Sequence, residues 1–585
     1  MKWSAGSDAS LHFSFLISRN SLGPRCRDIP LKKGLGVFRL IAFKGFWPAR
    51  FPLYASFPIP MHCRLCSEEG RRFAPLVKKC ILLTAPDSAE NGRRACWIAF
   101  RLERMVKRSL AADSLHDIFL PLQRGHQAFA SRYPGPRGDR QPVHTVYGGA
   151  HLFRADTAQR LGEKALEAMD EYAPDFISFA RAIELSGSQH LGGSPDAAAL
   201  AKSIQANPEA ARKDNRPAWF ACALYQRVRE KLQREPVEDF RIDFEDGFGN
   251  RPDEEEDRFA SAAARELAAG MAAGSLPPFV GLRIKPFNEE LRGRSVRTLD
   301  FFLTELLGKT GGRLPQNFFI TLPKVTIPEE SVALAAVCSR LESALGLRAG
   351  MLQVELMIET PQSVFNERGE LNLLPLAAAA QGRCVGAHFG TYDYTAGRGI
   401  TAAHQHMMHL ACDFAKEAMQ VAYAGTGIWL SDGATNILPV PVHHNEANSQ
   451  PLTTGQIDDN RKAVHQAWKL HFEHIRHSLV NGFYQGWDLH PAQLVTRYAA
   501  VYSFFLESLD AASERLRNFI AKAAQATLVG EVFDDAATGQ GLLNFFLRAI
   551  NCGAITAEEA QRLTGLTQEE FRSASFMKIL DGRNK

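Results

Sequence analysis

The sequence predicts an α/β fold: a (β/α)8 TIM barrel with a helical insertion after strand one and a C-terminal helical extension. From about residue 143, short apolar, β-branched or aromatic runs alternate with helical periods, which is typical of βα units around a parallel sheet. The 585 residues accommodate one such barrel of about 250 residues with insertions. Apolar residues make up 45% and charged residues 23%, which excludes collagen-like, disordered and disulfide-scaffold proteins.

Eight strands and the helices between them are predicted in chain order. The strands are Val143–Phe153, Phe240–Asp246, Phe279–Pro286, Phe318–Val325, Gln353–Thr360, Cys384–Thr391, Gly427–Asp432 and Gly482–Leu489. The helices are Asp156–Tyr172, Asp253–Ala273, Ser295–Leu307, Pro328–Leu345, His404–Ala424 and Ile457–Leu479. The insertion spans residues 173–239, and we expect it to cover the catalytic rim as a lid. The extension, residues 491–585, includes predicted helices at Ala511–Ala526 and Thr556–Met577.

Residues 1–104 differ in composition from the predicted barrel domain, residues 105–490. They hold 18 Lys and Arg against 7 Asp and Glu, a balance of +11; the whole chain carries +4, so the rest carries −7. We expect a poorly structured basic leader that is not part of the native protein, with Met105 as the native start. A zinc site at Cys63, Cys66, Cys80 and Cys96 and an organelle transit peptide are the alternatives.

Several functional classes are excluded by the same patterns. No apolar run reaches the roughly 18 to 20 residues of a membrane span. The basic residues form no helical stripe and do not alternate with aromatic residues, so nucleic-acid binding is not expected. Five cysteines scattered through the main body are typical of reduced cytosolic thiols, so we expect a cytoplasmic protein. A homo-oligomer is also expected.

Charged or metal-binding side chains stand at the carboxyl end of nearly every predicted strand, where barrels of this kind carry their catalytic residues. They are Glu245, Asp246, Arg283, Lys324, Glu359, Asp393, Asp432 and His490. Clustered carboxylates repel one another unless a cation neutralises them, and a hard divalent cation suits oxygen ligands. The histidines at 404, 406 and 409 fall in a helical pattern and are interpreted as structural.

The motifs at these strand ends follow one another in a recognisable order. They are Ile-Asp-Phe-Glu-Asp-Gly, then Arg283, Leu-Pro-Lys-Val, Ile-Glu-Thr-Pro, Phe-Gly-Thr-Tyr-Asp and His-Pro-Ala-Gln. This succession, from about Val143 to Gln493, resembles the HpcH/HpaI aldolase and citrate lyase beta subunit family. The resemblance implies a phosphoenolpyruvate/pyruvate-type barrel that binds Mg2+, with Mn2+ as the alternative ion. Such enzymes make or break a carbon–carbon bond next to a 2-oxo acid or thioester carbonyl.

Carried over residue by residue, the resemblance implies a role for each motif. Glu359 and Asp393 would ligate the metal, and Arg283 would bind the substrate carboxylate or enolate oxygen. Glu359, Gly390 and Thr391 would also line the substrate site, with Glu245, Asp246 and Lys324 supporting it. Many relatives have a Pro-Ala-Asp-Arg motif after strand one where this chain has Gly-Gly-Ala-His-Leu. The substrate therefore need not be a CoA ester, and we expect either a 2-oxo acid or an acyl-CoA-type substrate.

Some roles stay open at this stage. Lys324 pairs with Glu245 or Asp246, or acts as a Schiff-base nucleophile. Asp432 and His490 are both candidates for the proton-transfer residue. The leading hypothesis is a Mg2+-dependent lyase or aldolase that passes through an enolate. The alternatives are a condensing enzyme resembling malate synthase and a non-catalytic barrel that binds a metabolite.

The compositional break generates a first prediction. A chain that starts at Met105 should keep the melting temperature and the metal affinity of the full chain, because every predicted strand and site residue lies downstream. Thermal unfolding and a divalent-ion titration of the two chains, side by side, check it. A loss of several degrees, or zinc released on removal of residues 1–104, would show that the leader belongs to the folded protein.

Overall fold

Eight parallel strands close into a barrel in the order β1 to β8, as a computed structural model of the chain shows. The structure describes residues 110, 115–135, 137–445, 451–521, 527–529, 532–534, 536–573 and 575–583. The basic leader, its cysteines and Met105 lie outside these residues. Within the described residues, no helix is long and apolar enough to cross a membrane. The predicted (β/α)8 barrel is confirmed.

Seven of the eight barrel strands are shorter than predicted, and β7 is shifted by two residues. They are β1 His144–Gly149, β2 Asp239–Asp243, β3 Phe279–Arg283, β4 Phe318–Leu322, β5 Gln353–Ile358, β6 Cys384–Phe389, β7 Trp429–Ala434 and β8 Gln485–Asp488. A separate antiparallel hairpin joins β9 Thr527–Val529 to β10 Val532–Asp534. Glu245, Lys324 and Glu359, which the sequence placed in strands two, four and five, therefore lie after the strands at the rim.

Helices surround the barrel and form the C-terminal extension. They are α1 His116–Arg132, α2 Thr157–Tyr172, α3 Phe176–Ala182, α4 Ala197–Ala206, α5 Pro208–Asp214, α6 Arg216–Arg234, α7 Asp253–Ala273, α8 Arg292–Thr310, α9 Pro328–Leu345, α10 Pro361–Val364, α11 Leu373–Ala379, α12 Thr391–Gly397, α13 Leu410–Tyr423, α14 Thr454–Val480, α15 Gln493–Ala521, α16 Ala536–Asn551, α17 Ala557–Thr564, α18 Gln568–Arg572 and α19 Phe576–Arg583.

The predicted helix His404–Ala424 starts too early. Helix α13 begins at Leu410, because the His409 side chain accepts a hydrogen bond from the Ala411 amide and so caps it. His404 lies in a 3-10 turn before the helix. The His406 ring lies near those of His409 and His474, at centroid distances of 5.7 and 6.5 Å. The three histidines therefore belong to a loop and a cap, not to a helix interior.

The barrel core is buried on both faces of the sheet. Every residue of β2, β3 and β4 is buried, as expected for parallel strands with helices outside and side chains filling the interior. Gly281 in β3 allows the close approach of β4, since a Cβ there would lie 2.1 Å from the Phe319 carbonyl oxygen. The rim loops are thus carried by a tightly packed framework.

The insertion between α2 and β2 lies on the outer helices. It begins only after α2 has ended, so it does not extend from the carboxyl end of a strand. The Phe179 ring packs edge-on against Trp468 of α14, at a centroid distance of 6.2 Å. Arg227 pairs with Glu559 of α17 at 3.1 Å. The expectation of a lid over the rim is therefore wrong, because this segment buries its apolar face against α14 and the extension.

A buried charge network joins β8 to β1 where the barrel closes. Asp488 is fully buried, and its Oδ1 accepts hydrogen bonds from Arg497 Nε and Nη2 at 3.1 and 2.8 Å. His144 Nδ1 of β1 lies 3.1 Å from Oδ2, and His471 Nε2 of α14 lies 3.1 Å from Oδ1. Burial opposes ionisation of Asp488, but Arg497 and the histidines outweigh it and hold its pKa well below the usual value.

Replacement of Asp488 should destabilise the fold. Asp488→Asn leaves Arg497 buried without its counter-charge, which costs about 3–5 kcal/mol. Because the folded-state pKa of Asp488 is depressed, its contribution is present above the ordinary aspartate pKa and is lost as the pH falls below it. Chemical unfolding at neutral pH and at about pH 3 should show the difference from the parent shrinking in acid. Glu254→Gln, at an exposed position of α7, is the control, and a parental Asp488→Asn would contradict the prediction.

Candidate active site at the carboxyl end of the barrel

Arg283 ends β3 and is held by Asp243, the last residue of β2. Its Nε and Nη2 donate to the two Asp243 oxygens at 2.7 and 2.5 Å, a bidentate pair. The Asp243 oxygens also accept the Glu245 and Gly247 amides, which shapes the turn after β2. Burial opposes ionisation of Asp243, but Arg283 outweighs it, so the pKa of Asp243 lies below its usual value. Arg283 is therefore fixed in position and charged.

Two aromatic rings support the Arg283 guanidinium. Its Cζ lies 4.8 Å from the centroid of Tyr147 in β1 and 5.3 Å from that of Trp487 in β8. The Tyr147 hydroxyl contacts polar groups of the barrel interior, since it lies 3.3 Å from both Glu355 Oε1 and His388 Nδ1. Burial lowers the pKa of His388 to about 4, so its ring is neutral at physiological pH. Below the mouth, the barrel interior is thus a polar network that keeps Arg283 in place.

Lys324 lies among the carboxylates of the mouth. Its Nζ pairs with Glu245 Oε1 and lies 3.4 Å from Asp246 Oδ2 and 3.5 Å from Asp393 Oδ2. Burial disfavours the ammonium, but Glu359 and Glu245 outweigh it and raise the pKa of Lys324 above its usual value. A Schiff-base nucleophile needs a neutral amine. The surroundings of Lys324 therefore favour the pairing role over the nucleophilic one.

The Lys324 backbone adopts a conformation that is rare for a side-chain-bearing residue. Its φ is 51°, in the left-handed region, and its amide donates to Glu359 Oε1 at 2.7 Å. Such strain is found where the surroundings over-determine a position, and it clusters at functional sites. This geometry turns both the amide and the ammonium of one residue toward carboxylates from three different strand ends.

Glu359 follows β5 and is almost completely buried, at 2% exposure. Burial, together with the neighbouring Asp393 and Glu245 carboxylates, raises the pKa of Glu359 to about 8, despite the opposing effect of Lys324. Gly390 makes this position available. A Cβ at Gly390 would lie 2.4 Å from Glu359 Cβ and 2.5 Å from its Oε2, so only glycine fits. Gly390 thus shapes the carboxylate pocket without offering a side chain.

Asp393 and Thr391 stand at the start of α12, directly after β6. The Asp393 side chain is 44% exposed, and its 3.5 Å contact with Lys324 Nζ connects it to the acidic group. Thr391 is buried, and its Oγ1 has no hydrogen-bond partner. The structure therefore brings together Glu245, Asp246, Arg283, Lys324, Glu359, Gly390, Thr391 and Asp393 at one side of the mouth.

The donor set at the mouth fits a hard divalent cation. In the described part of the chain, no group of three or more His, Cys, Asp or Glu side chains is placed to hold a metal ion. Mg2+, however, takes one or two protein carboxylates and keeps several waters. The Glu245, Glu359 and Asp393 carboxylates outnumber the two cations beside them, Arg283 and Lys324, and burial together with the acidic neighbours raises the pKa of Glu359. Glu359 and Asp393 would hold such an ion.

Asp432 does not belong to this site. It is fully buried in β7 and binds the outer helices: Lys416 Nζ of α13 at 3.1 Å and Ser478 Oγ of α14 at 2.6 Å. Burial opposes its ionisation, but Lys416 outweighs burial and holds the pKa of Asp432 below the usual value. Its proposed proton-transfer role is wrong, because the side chain points out of the barrel and is fully paired.

His490 lies in the loop after β8, at the turn that leads into α15. Its Nδ1 accepts the Ala492 amide at 3.2 Å, which fixes the turn before α15. Burial, with a contribution from Lys164 of α2, lowers the pKa of His490. Since its described contacts are with the turn and α2, a role in proton transfer at the mouth has no support in the geometry.

Sequence reasoning missed the residues that fix Arg283. Asp243, Tyr147 and Trp487 lie inside strands, where polar or aromatic side chains in a buried run resemble ordinary core residues. The signal that could have found Asp243 is an acidic residue in an otherwise apolar strand, paired by register with Arg283 in the next strand. Tyr147 and Trp487 carry no comparable signal in the sequence.

The solved structures that this chain resembles include a citrate lyase, CitE and a malate synthase, each at low sequence identity. A citrate lyase from Burkholderia xenovorans LB400 is 19% identical with a TM-score of 0.42, covering 58% of this chain and 92% of that one. Mycobacterium tuberculosis CitE, solved with magnesium and acetate, is 15% identical with a TM-score of 0.28, covering 48% and 87%. Haloferax volcanii malate synthase, solved with glyoxylate, is 13% identical with a TM-score of 0.36, covering 75% and 99%. The comparison with curated proteins found no match.

One family profile spans most of the chain. It matches residues 122–579, which contain the whole barrel and most of the C-terminal extension. The profile does not describe the HpcH/HpaI aldolase and citrate lyase beta subunit family, so that similarity stays a resemblance of motifs. Because the match covers well over half of the 585 residues, the chain belongs to the family described as domain of unknown function DUF6986.

Proposed function

We propose that this protein is a Mg2+-dependent carbon–carbon lyase or aldolase that acts on a 2-oxo acid or an acyl-CoA-type substrate. The proposal joins the motif resemblance to the HpcH/HpaI family with the arrangement of groups at the barrel mouth. Two fixed cationic side chains, Arg283 and Lys324, lie within one group of carboxylates. A site of this kind suits a reaction in which negative charge develops on an oxygen.

The observation that carries the proposal is a set of buried polar atoms without hydrogen-bond partners around Arg283 and Glu359. They are Thr391 Oγ1, His388 Nε2 and Trp487 Nε1. Buried polar atoms are normally satisfied, and exceptions mark places where a ligand, water or ion binds. A threonine hydroxyl and an indole N–H donate hydrogen bonds, so the occupant that suits them is polar and carries oxygens. A 2-oxo acid meets this description.

The side chains of the mouth would divide the work between binding and charge stabilisation. Arg283, held on one edge by Asp243, keeps Nη1 on the other edge, 3.1 Å from Glu245 Oε2 and on the side of the mouth. A substrate carboxylate would bind this edge. The Lys324 ammonium would lower the energy of negative charge on a nearby oxygen without itself losing a proton. A bound Mg2+ would supply a Lewis acid for the carbonyl oxygen.

The alternative of a malate-synthase-like condensing enzyme requires a strong base at the mouth. Asp432, the carboxylate that strand seven contributes, is turned toward α13 and α14. His388 is neutral but weakly basic, because burial lowers its pKa to about 4. The geometry therefore favours the lyase or aldolase over the condensing enzyme. A purely metabolite-binding barrel differs from both in lacking turnover.

The first test of this function is ion binding by carboxylate variants. Asp393→Asn and Glu359→Gln keep the size of the side chain but remove a carboxylate ligand, so Mg2+ affinity and turnover should fall at least about tenfold. Asp393 is 44% exposed, so its variant should fold normally. Calorimetric titration with Mg2+ or Mn2+ measures the affinity. Turnover is measured as the release of a 2-oxo acid from a panel of 2-hydroxy acids and CoA esters.

Glu289→Gln is the matched control for the carboxylate variants. Glu289 lies in the loop after β3, on the same rim, but its side chain is 81% exposed and pairs only with Arg292. This variant should bind the ion like the parent. An Asp393→Asn protein that binds the ion at parental affinity would contradict the assignment of the site.

Arg283→Lys separates substrate binding from ion binding. Lysine keeps the charge but loses the planar fork, so the bidentate contact with Asp243 and the second edge, which carries Nη1, are both lost. Affinity for pyruvate or oxaloacetate should fall at least about tenfold, while Mg2+ affinity changes little. The two titrations on one preparation measure both effects. Equal losses for ion and oxo acid would assign Arg283 a structural role instead, and Arg340→Lys at an exposed position of α9 is the control.

A further inference from the structure

A cavity of about 470 Å³ lies at the opposite end of the barrel from the carboxylates. It is bounded by the loop before β1, the residues that lead into β7 and β8, and helices α15 and α16. Since all eight strands are parallel, these segments lie at their amino ends. The volume falls within the roughly 300–1,000 Å³ of small-molecule sites. This space is therefore distinct from the mouth and large enough for a metabolite.

Arg548 of α16 lines this cavity without a carboxylate partner. Its only hydrogen bond in the described part of the chain joins Nη1 to Gln141 Oε1 at 3.3 Å. Its guanidinium carbon lies 3.7 Å from the centroid of the Tyr484 ring. Burial lowers the pKa of Arg548, which means that the surroundings disfavour its charge. A guanidinium has five N–H donors, so most of its capacity is unused.

Three buried arginines of the structure show what the partly buried Arg548 lacks. Arg283 is paired with Asp243, Arg497 with Asp488, and Arg383 donates to both Glu342 oxygens at 2.6 and 2.7 Å. Removing a charge from water costs free energy unless a partner compensates it. Arg548 has no carboxylate partner among the described residues, and an anion in the cavity would supply one.

The remaining charges of the lining do not neutralise Arg548. Arg137 stacks on the Trp429 ring at 4.1 Å, but its guanidinium is already paired with both Asp139 oxygens. The cavity lining contains no further Asp, Glu, Lys or Arg among the described residues, so one positive charge remains uncompensated. The site therefore matches a ligand with one anionic group.

Two amides stand on the same face of α16 as Arg548. Asn544, Arg548 and Asn551 are spaced four and three residues apart, which places them one above another on a helix. Asn544 Oδ1 accepts a hydrogen bond from Gln540, but its Nδ2 makes none, and the Asn551 side chain makes none among the described residues. Gln141 donates its own amide to the Leu430 carbonyl oxygen at 3.0 Å, so its Oε1 is turned to Arg548.

Apolar walls complete the cavity. Leu430, Leu479, Val501, Phe505 and Leu547 contribute to its lining. Small-molecule sites combine such apolar walls with a few polar groups that orient the ligand. The arrangement suits a molecule with an oxyanion at one end and an apolar body at the other.

We propose that this cavity is a second ligand site, which binds a small organic molecule carrying one oxyanion group on an apolar body. The oxyanion lies against Arg548, the free amides of Asn544 and Asn551 bind beside it, and the apolar walls hold the body. The oxyanion belongs to a carboxylate or to a phosphomonoester, which share this chemistry. The site is independent of the lyase function proposed for the mouth.

Calorimetric titration of the full chain with three probes tests this site. They are octanoate, the uncharged octanamide of the same length, and phenyl phosphate. Octanoate or phenyl phosphate should bind the parent at least about tenfold more tightly than octanamide, because charge-assisted hydrogen bonds supply the difference. Tighter binding of phenyl phosphate assigns the site to phosphomonoesters, and tighter binding of octanoate assigns it to carboxylates. If neither anion binds, the proposal fails.

Substitutions on α16 test whether the probe binds in the cavity. Arg548→Gln should weaken the favoured anion at least about tenfold and leave octanamide unchanged. Its stability should stay close to that of the parent, since the partly buried charge that it removes has no carboxylate partner among the described residues. Asn551→Leu keeps the charge and should weaken the anion severalfold, which preserves the test if Arg548→Gln does not fold. Arg340→Gln, exposed on α9, is the control.

Competition separates the two ends of the barrel. Saturating pyruvate with Mg2+, directed to the mouth, should leave the affinity for the favoured anion unchanged. Displacement of the anion by pyruvate that is lost in Arg283→Lys, or parental anion affinity in both Arg548→Gln and Asn551→Leu, would overturn the second site. Neither result bears on the mouth, because a failure of the lyase hypothesis appears in the Asp393→Asn and Arg283→Lys titrations instead.

Discussion

Repulsion between carboxylates at the barrel mouth is the constraint on which the site depends. Parallel strands deliver their carboxyl ends to one rim, and the segments after β2, β5 and β6 bring Glu245, Glu359 and Asp393 together there. Arg283 and Lys324 partly compensate these charges. The raised pKa of Glu359, about 8, shows that the compensation is incomplete, since burial and its acidic neighbours still disfavour the anion. The left-handed φ of Lys324 is the backbone cost of placing its amide and ammonium where they are needed.

The deeper layers of the barrel keep these cations in place. Asp243 holds the Arg283 fork, and Tyr147 and Trp487 hold its faces. Beneath them, Arg241 of β2 pairs with Asp239, and its Nη2 lies 3.5 Å from Glu355 of β5 across the interior. Charges inside the barrel thus form pairs from one end to the other. This is consistent with a rigid site, because a partly satisfied buried network would be costly.

The order and type of the barrel elements could be predicted from the sequence, because alternating apolar runs and helical periods are local signals. The direction of each side chain within a strand could not be predicted from the sequence. The predicted strand Gly427–Asp432 ended at Asp432, whereas β7 runs Trp429–Ala434 and places Asp432 in its interior. There, alternate side chains point toward the outer helices, and Asp432 meets Lys416 instead of the mouth. A shift of two residues in a strand boundary thus changed a candidate catalytic group into a structural one.

The same distinction applies to the site residues. Those marked by local motifs could be predicted, and those whose role depends on contacts in three dimensions could not. Residues in loops after the strands, such as Glu359 and Asp393, could be found because several motifs converge on one rim. Gly390 carries no reactive group, and its contribution emerges only from its 2.4 Å separation from Glu359 in three dimensions. The order of elements along the chain did not predict where the helical insertion packs, because a segment between two strands can cover either end of the barrel. Packing of its apolar face against α14 and the extension decided that, through contacts far apart in the sequence.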